Sequence, residues 1–171
     1  MTTLPPAQDP RRPYRIATVC LGNICRSPMA EVVLTAALAN AGLSDRVEVD
    51  SSGTGGWHTG DPMDDRAAAT LEAHGYDPTR HRAQRFAASW YAEHDLILTM
   101  DRSNHRDVLA SAPSPADAER VRMFRAYDPD ASEGDDEVPD PWYGGPEGFE
   151  RVLVTVERTA KAIVDEVAAQ L

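Results

Sequence analysis

The stretch Arg15-Ile16-Ala17-Thr18-Val19-Cys20-Leu21-Gly22-Asn23-Ile24-Cys25-Arg26-Ser27-Pro28-Met29-Ala30-Glu31 decides the fold. Its apolar run, Ile16 to Val19, stops at Cys20. Ser27 suits a helix N-cap, and Pro28 suits the first helical position, where a missing N–H costs nothing. Apolar residues then recur at helical spacing at Met29, Val32, Val33, Ala36 and Ala37. The stretch reads as strand, tight loop, helix.

A loop that ends at a helix N-terminus aims several backbone N–H groups at one point, and the helix dipole adds positive character there. Gly22 permits a tight turn, and Asn23 tolerates the left-handed region. Arg26 offers a planar fork to two phosphate oxygens. Cys20 sits where the same field favours a thiolate, the nucleophilic form. Leu21, Gly22, Asn23, Ile24 and Cys25 would supply the cradle. A thiolate under a bound phosphate suggests phosphoryl transfer through phosphocysteine.

Outward from this stretch, strands and helices alternate. A first helix is expected over 29–41, with Gly42 as its C-cap. Val47 to Ser51 alternates as a strand, followed by a glycine-rich loop holding Trp57. A second helix is expected over 63–74, with Asp61 as cap and Gly75 as stop. Residues 83–92 carry a weaker helical pattern. Leu96 to Met100 is a continuous apolar run that suits a buried parallel strand. A helix over 101–110, a strand over 121–124, an acidic loop over 125–147 and a long apolar-faced helix from Glu147 complete the chain. This order implies a single α/β domain: a four-stranded parallel sheet with helices on both faces, and the phosphate loop between strand 1 and helix 1. Ligands of such sheets sit at the carboxyl ends of the strands, where the Cys20 loop lies.

At 171 residues the chain suits one domain, with roughly 70% of the unfolded surface buried. Residues 1–12 hold Pro, Arg and Asp without an apolar segment, so they read as a disordered lead-in rather than a secretory signal, and the domain proper as 13–171. The formal charge of −11 argues against nucleic acid. No apolar run reaches the roughly 20 residues of a membrane span. Two cysteines within one loop make no disulfide framework, and a catalytic thiol suits a reducing cytoplasm; export without a signal peptide stays open.

The mechanism needs an acid for the departing oxygen and a base for the attacking water. Asp140 in Val138-Pro139-Asp140-Pro141-Trp142-Tyr143 is the best candidate, because prolines on both sides limit its backbone freedom. Asp128, Asp130, Glu133, Asp135, Asp136 and Glu137 precede it, with no basic residue between Arg125 and Arg151. That acidic run is expected to help keep Asp140 protonated. Trp57, Trp142 and Tyr143 lie in loops rather than at periodic core positions, and a flat aryl phosphate would stack between such rings.

The Cys-(five residues)-Arg-Ser spacing matches the phosphate loop of cysteine-dependent phosphatases. The fuller string from Val19 to Glu31 resembles the low molecular weight protein tyrosine phosphatases. The resemblance extends over about 14–171. It implies a metal-free, cofactor-free phosphatase acting on phosphotyrosine proteins, as a monomer or weak dimer. It implies Cys20 as nucleophile, Arg26 as phosphate binder and Asp140 as acid. It implies Ser27 as the donor that eases thiolate departure, and Asn23, Ser51 and His81 as a network holding the loop. Trp57, Trp142 and Tyr143 fall at crevice positions, with Trp142 replacing the first of a usual tyrosine pair. Asp101 and Asn104 match a structural motif, and Cys20 with Cys25 match a pair that can form a reversible disulfide. Thiol-coupled arsenate reductases share the fold but need further downstream cysteines, and none follows Cys25. A non-catalytic phosphotyrosine-binding module would lack the nucleophile or the acid.

Overall fold

The structure, a computed structural model, describes residues 2–171. Strands β1 (Tyr14–Cys20), β2 (Val47–Gly53), β3 (Leu96–Thr99) and β4 (Val121–Met123) form a parallel sheet in the order β2-β1-β3-β4. Cys20 lies opposite Gly53, and Val19 lies opposite both Ser52 and Thr99. The carboxyl ends of the three strands therefore converge on one rim.

The helices are α1 (Arg26–Asn40), α2 (Asp65–Ala73), α3 (Trp90–Glu93), α4 (Arg102–Leu109), α5 (Pro115–Ala118) and α6 (Pro146–Gln170), with a 3-10 turn at Phe124–Tyr127. Successive strand residues face opposite sides. Ile16, Leu96 and Leu98 join α1, α2 and α6 in the larger core, which also holds Phe149 and Leu153. Ala17, Val19 and Ile97 join Trp90, Tyr91 and Val108 of α3 and α4 on the other face. Each fully buried Leu or Phe contributes about 1.5–3 kcal/mol. The expected four-stranded α/β domain with helices on both faces is what the chain forms.

Several boundaries differ from the sequence expectation. Helix α1 begins at Arg26 rather than after Ser27, and no side chain caps it. The Ser27 hydroxyl turns instead toward Cys20. Gly42 does end α1, at φ 73°. Asp64, not Asp61, caps α2 by accepting from the Arg66 and Ala67 amides. Residues 83–86 are extended, because Gly53 donates to Gln84 and Phe86 donates back to Gly53. Only Trp90–Glu93 of the weakly helical stretch is a helix.

Residues 2–12, expected as a disordered lead-in, run along the body in this structure. Leu4 is buried in the larger core, and the Tyr14 hydroxyl donates to the Pro5 carbonyl at 2.8 Å. The buried Asp95 carboxylate accepts from the Gln8 and Arg15 amides and from the Arg12 guanidinium. Among the described residues no helix is long and apolar enough to cross a membrane.

Candidate active site

The loop 21–25 joins the end of β1 to the start of α1, which places its amides at a strand terminus and a helix N-terminus together. Cys20 Sγ lies 3.0 Å from Ser27 Oγ and accepts from the Asn23 amide at 3.3 Å. Asn23 is the non-glycine residue with positive φ, at 57°, among the described residues. Such a conformation costs an L-residue roughly 1–2 kcal/mol unless neighbours hold it.

Those neighbours surround Asn23 on every polar atom. Its Nδ2 donates to Ser27 Oγ at 2.8 Å and to Ser51 Oγ at 2.9 Å. Its Oδ1 accepts from the Gln84 amide at 2.9 Å, and its carbonyl lies 2.6 Å from His81 Nε2. The Leu21 carbonyl accepts from the Gly55 amide, and the Cys20 carbonyl from Thr54. Gly53 has no room for a side chain here, since a Cβ would lie 2.6 Å from the Leu21 oxygen.

Arg26 is buried beneath the loop. It donates to Asp101 Oδ2 at 2.7 Å and to the Val138 carbonyl at 3.0 Å. Burial pulls its pKa down, but the neighbouring Cys20 sulfur and the Asp101 and Asp140 carboxylates outweigh it and raise it, so the fork stays charged. Asp140 Oδ2 lies 3.6 Å from Arg26 Nη2. Its Oδ1 accepts from the Trp142 amide at 3.1 Å. The candidate nucleophile Cys20, the candidate phosphate fork Arg26 and the candidate acid Asp140 thus converge on one rim of the sheet.

The family model described as low molecular weight phosphotyrosine protein phosphatase matches residues 15–171. The chain belongs to the low molecular weight protein tyrosine phosphatase family. A relative from Streptomyces coelicolor, named low molecular weight protein-tyrosine-phosphatase, is 46% identical over 92% of this chain and 96% of its own length. Low molecular weight protein-tyrosine phosphatase A of Mycobacterium tuberculosis is 43% identical over 93% of this chain and 94% of its own. A crystal structure of protein tyrosine phosphatase from Entamoeba histolytica superposes with a TM-score of 0.86 at 29% identity, covering 91% of this chain and 97% of that one.

Against the pattern of this phosphatase family, the structure places the remaining candidates unevenly. Ile24 and Cys25 of the loop are buried, and burial first, then nearby Asp64, pushes the Cys25 thiol above its usual pKa. Leu21 and Trp57 are exposed and share a groove of about 470 Å³ with Gly56 and Arg85. The Trp57 ring folds back over Gly55, where a Cβ would lie 1.9 Å from it. Trp142 lies 6.2 Å from His58, centroid to centroid. Gly22 also faces His58, at 3.1 Å from its added Cβ. Tyr143 is 92% exposed and makes no ring contact among the described residues. The three rings do not form one closed slot in this structure.

Gln84 and Arg66 were not singled out from the sequence. Gln84 reaches Asn23 through its backbone amide, which leaves no residue-type signal, while its side chain donates to the Ser51 carbonyl at 3.0 Å. The acidic run before Asp140 is not the uncompensated field expected of it. Asp128 pairs with Arg125 and Arg158, Asp135 with Arg125, and Asp136 with Arg102. Among the described residues, no group of three or more His, Cys, Asp or Glu side chains is placed to hold a metal ion.

Proposed function

We propose that this family member hydrolyses phosphotyrosine and small aryl phosphates through phosphocysteine. The observation that carries the reading is the convergence of Cys20, Arg26 and Asp140, with Asp140 Oδ2 3.6 Å from the guanidinium that would grip the phosphate. In the first step Cys20 Sγ attacks phosphorus, and the phosphorus–oxygen bond to the phenol breaks. Asp140 gives its proton to that oxygen. Arg26 and the amides of Leu21, Gly22, Asn23, Ile24 and Cys25 hold the equatorial oxygens, so the displacement rests on positioning and charge stabilisation.

In the second step Asp140 takes a proton from water, the water oxygen bonds to phosphorus, and the sulfur–phosphorus bond breaks. The departing thiolate is received by the Ser27 hydroxyl and the Asn23 amide, which stand 3.0 and 3.3 Å from Sγ. Chain residues fill every charge-handling role, so no cofactor is assigned. Trp57, Trp142 and Tyr143 are assigned to the mouth of the site, where they meet the protein around the phosphotyrosine. The compartment we infer is the cytoplasm, and the acting species a monomer or weak dimer.

An aryl phosphate assay in the presence of chelator tests the reading. Wild type turns over, Cys20→Ser does not, and Asp140→Ala loses roughly 10²–10⁴-fold. Full activity in Cys20→Ser would refute the mechanism.

A further inference from the structure

We propose that Arg66 is the positioning residue for the general acid, a latch from α2 onto the Asp140 loop. The proposal rests on the reading of Asp140 given above. Arg66 stands at the second position of α2, and its own side chain is fixed. The Asp64 carboxylate accepts from Arg66 Nε at 3.2 Å and from Nη2 at 3.2 Å, while the same oxygen that meets Nε also caps the helix by accepting from the Arg66 amide at 2.9 Å. The remaining guanidinium nitrogen, Nη1, donates to the Trp142 carbonyl at 3.0 Å.

The plane of the guanidinium is used as well as its edge. Its central carbon lies 5.1 Å from the Trp142 ring centroid and 4.8 Å from that of Phe149, at the start of α6. Arg is suited to this double use, because its rigid fork can hydrogen bond at the rim while its face lies on an aromatic. Phe149 is fully buried in the larger core, so it gives the cation a seat anchored outside the Asp140 loop.

Asp140 is one bond further along. Its Oδ1 accepts from the Trp142 amide, so the residue gripped by Arg66 through its carbonyl grips the acid through its nitrogen. Among the described residues, Arg66 and Arg26 are the side chains from other elements that bond or pair with residues 139–145. Arg26 must turn part of its charge to the phosphate when substrate binds. The Arg66 side chain spends its hydrogen bonds on Asp64 and Trp142, with none to residues 20–26 among the described residues, and keeps its hold. The acid is then aimed by a group that substrate does not compete for, which is what a proton donor acting at one atom requires.

The test reads the leaving group, which a merely structural role would leave alone. Phenyl phosphate releases a basic phenolate and depends on proton donation; p-nitrophenyl phosphate releases a weakly basic one and depends on it less. Arg66→Met keeps an apolar chain over Phe149 and removes the donor. It should lose about 10-fold or more in kcat/KM, which reports the step that releases the phenol, on phenyl phosphate, with a much smaller loss in kcat/KM on the nitrophenyl ester and unchanged inhibition by inorganic phosphate. Arg66→Lys, which keeps the charge without the fork, should fall the same way. Neither should add to the loss expected of Asp140→Ala. An equal loss on both esters, an additive double variant, or wild-type kinetics would overturn the latch while leaving Asp140 as the acid. If Asp140→Ala itself shows no leaving-group dependence, the acid assignment fails and the latch with it. Thermal unfolding of Arg66→Lys checks folding, and a folded Arg66→Lys with wild-type leaving-group dependence overturns the proposal even where Arg66→Met does not fold.

Discussion

Arg26 donates to Asp101 Oδ2 at 2.7 Å from beneath the phosphate loop, and the other oxygen of Asp101 caps α4 by accepting from the Asn104 amide at 2.8 Å. One carboxylate thus orients the guanidinium proposed to bind phosphate and starts the helix after β3. Charged fork-to-carboxylate bonds of this kind orient as well as attract.

Asp101→Asn separates the two duties, since an Asn oxygen still caps a helix. The expected outcome is a roughly 10-fold weaker inhibition by inorganic phosphate, the effect of losing about 1.4 kcal/mol of orientation at Arg26. Asp101→Ala should add a loss of about 0.5–2 kcal/mol in unfolding free energy from the missing cap. Equal phosphate inhibition in wild type and Asp101→Asn would separate Arg26 orientation from Asp101.

Asn23 holds the loop by two means, its left-handed backbone and its side-chain bonds to Ser27 and Ser51. Asn23→Gly keeps the first and removes the second. Turnover of aryl phosphate should fall by about 10-fold or more, because Ser27 loses the donor that fixes its hydroxyl beside Cys20. Asn23→Ala should be less stable than Asn23→Gly by about 1 kcal/mol in denaturant unfolding, since alanine alone meets the steric cost of φ 57°. A more stable alanine variant would count against strain at this position.

The first strand, the loop and the existence of α1 were legible because their signals are local: an apolar run, a turn residue pair, apolar residues at helical spacing. Ser27 was legible as important but not as placed, because its cap role loses to the pull of Cys20 and Asn23. The extended path of 83–86 and the neutralised acidic run were not legible. Their partners, Gly53 in one case and Arg102 and Arg158 in the other, lie far along the chain. His81 was indicated by the family resemblance alone, and it stands 2.6 Å from the Asn23 carbonyl. Arg66 left no trace at all, because an Arg near a helix start reads as a solvated charge until Trp142 is seen against it.

Asp128 gives the chain a defined response to acid. Its side chain is fully buried, which alone would raise its pKa; bonds from Arg158, the Asp130 amide and Arg125 overcome that and hold it far below the usual carboxylate value. A carboxyl depressed in the folded state contributes stability that is present above the unfolded pKa, roughly 3.9, and is lost as pH falls below it toward the folded value. Asp128→Asn should cost about 1–3 kcal/mol at neutral pH, because two arginines lose their buried partner and keep only the exposed Asp135 and Asp130. The gap between wild type and variant, followed by denaturant unfolding, should narrow below about pH 4. A gap that stays constant down to acid pH would mean that Asp128 stabilises by packing rather than by charge.

Asp95 ties the N-terminal segment to the sheet. Its Oδ1 accepts from the Gln8 amide and from Arg12 Nη2, and its Oδ2 from the Arg15 amide and from Arg12 Nη1. The Gln8 side chain adds bonds to the Tyr91 and His94 carbonyls. The carboxylate is buried, so Asp95→Ala leaves donors unpaired on both sides, at a cost of about 1–3 kcal/mol for each group left buried. The segment should then detach before the sheet does, since its own buried apolar contribution is small, Leu4 and Pro5 with half-buried Ala7, and β1 is held by β2 and β3 on either side. Hydrogen exchange resolves the order of events. In Asp95→Ala the Gln8 amide should exchange at nearly the unprotected rate, while the amides of Ile16 to Val19 keep protection set by global unfolding. Joint loss of protection at Gln8 and in β1 would show that the segment is part of the cooperative core, and retained protection at Gln8 would show that the Tyr91 and His94 contacts suffice without Asp95.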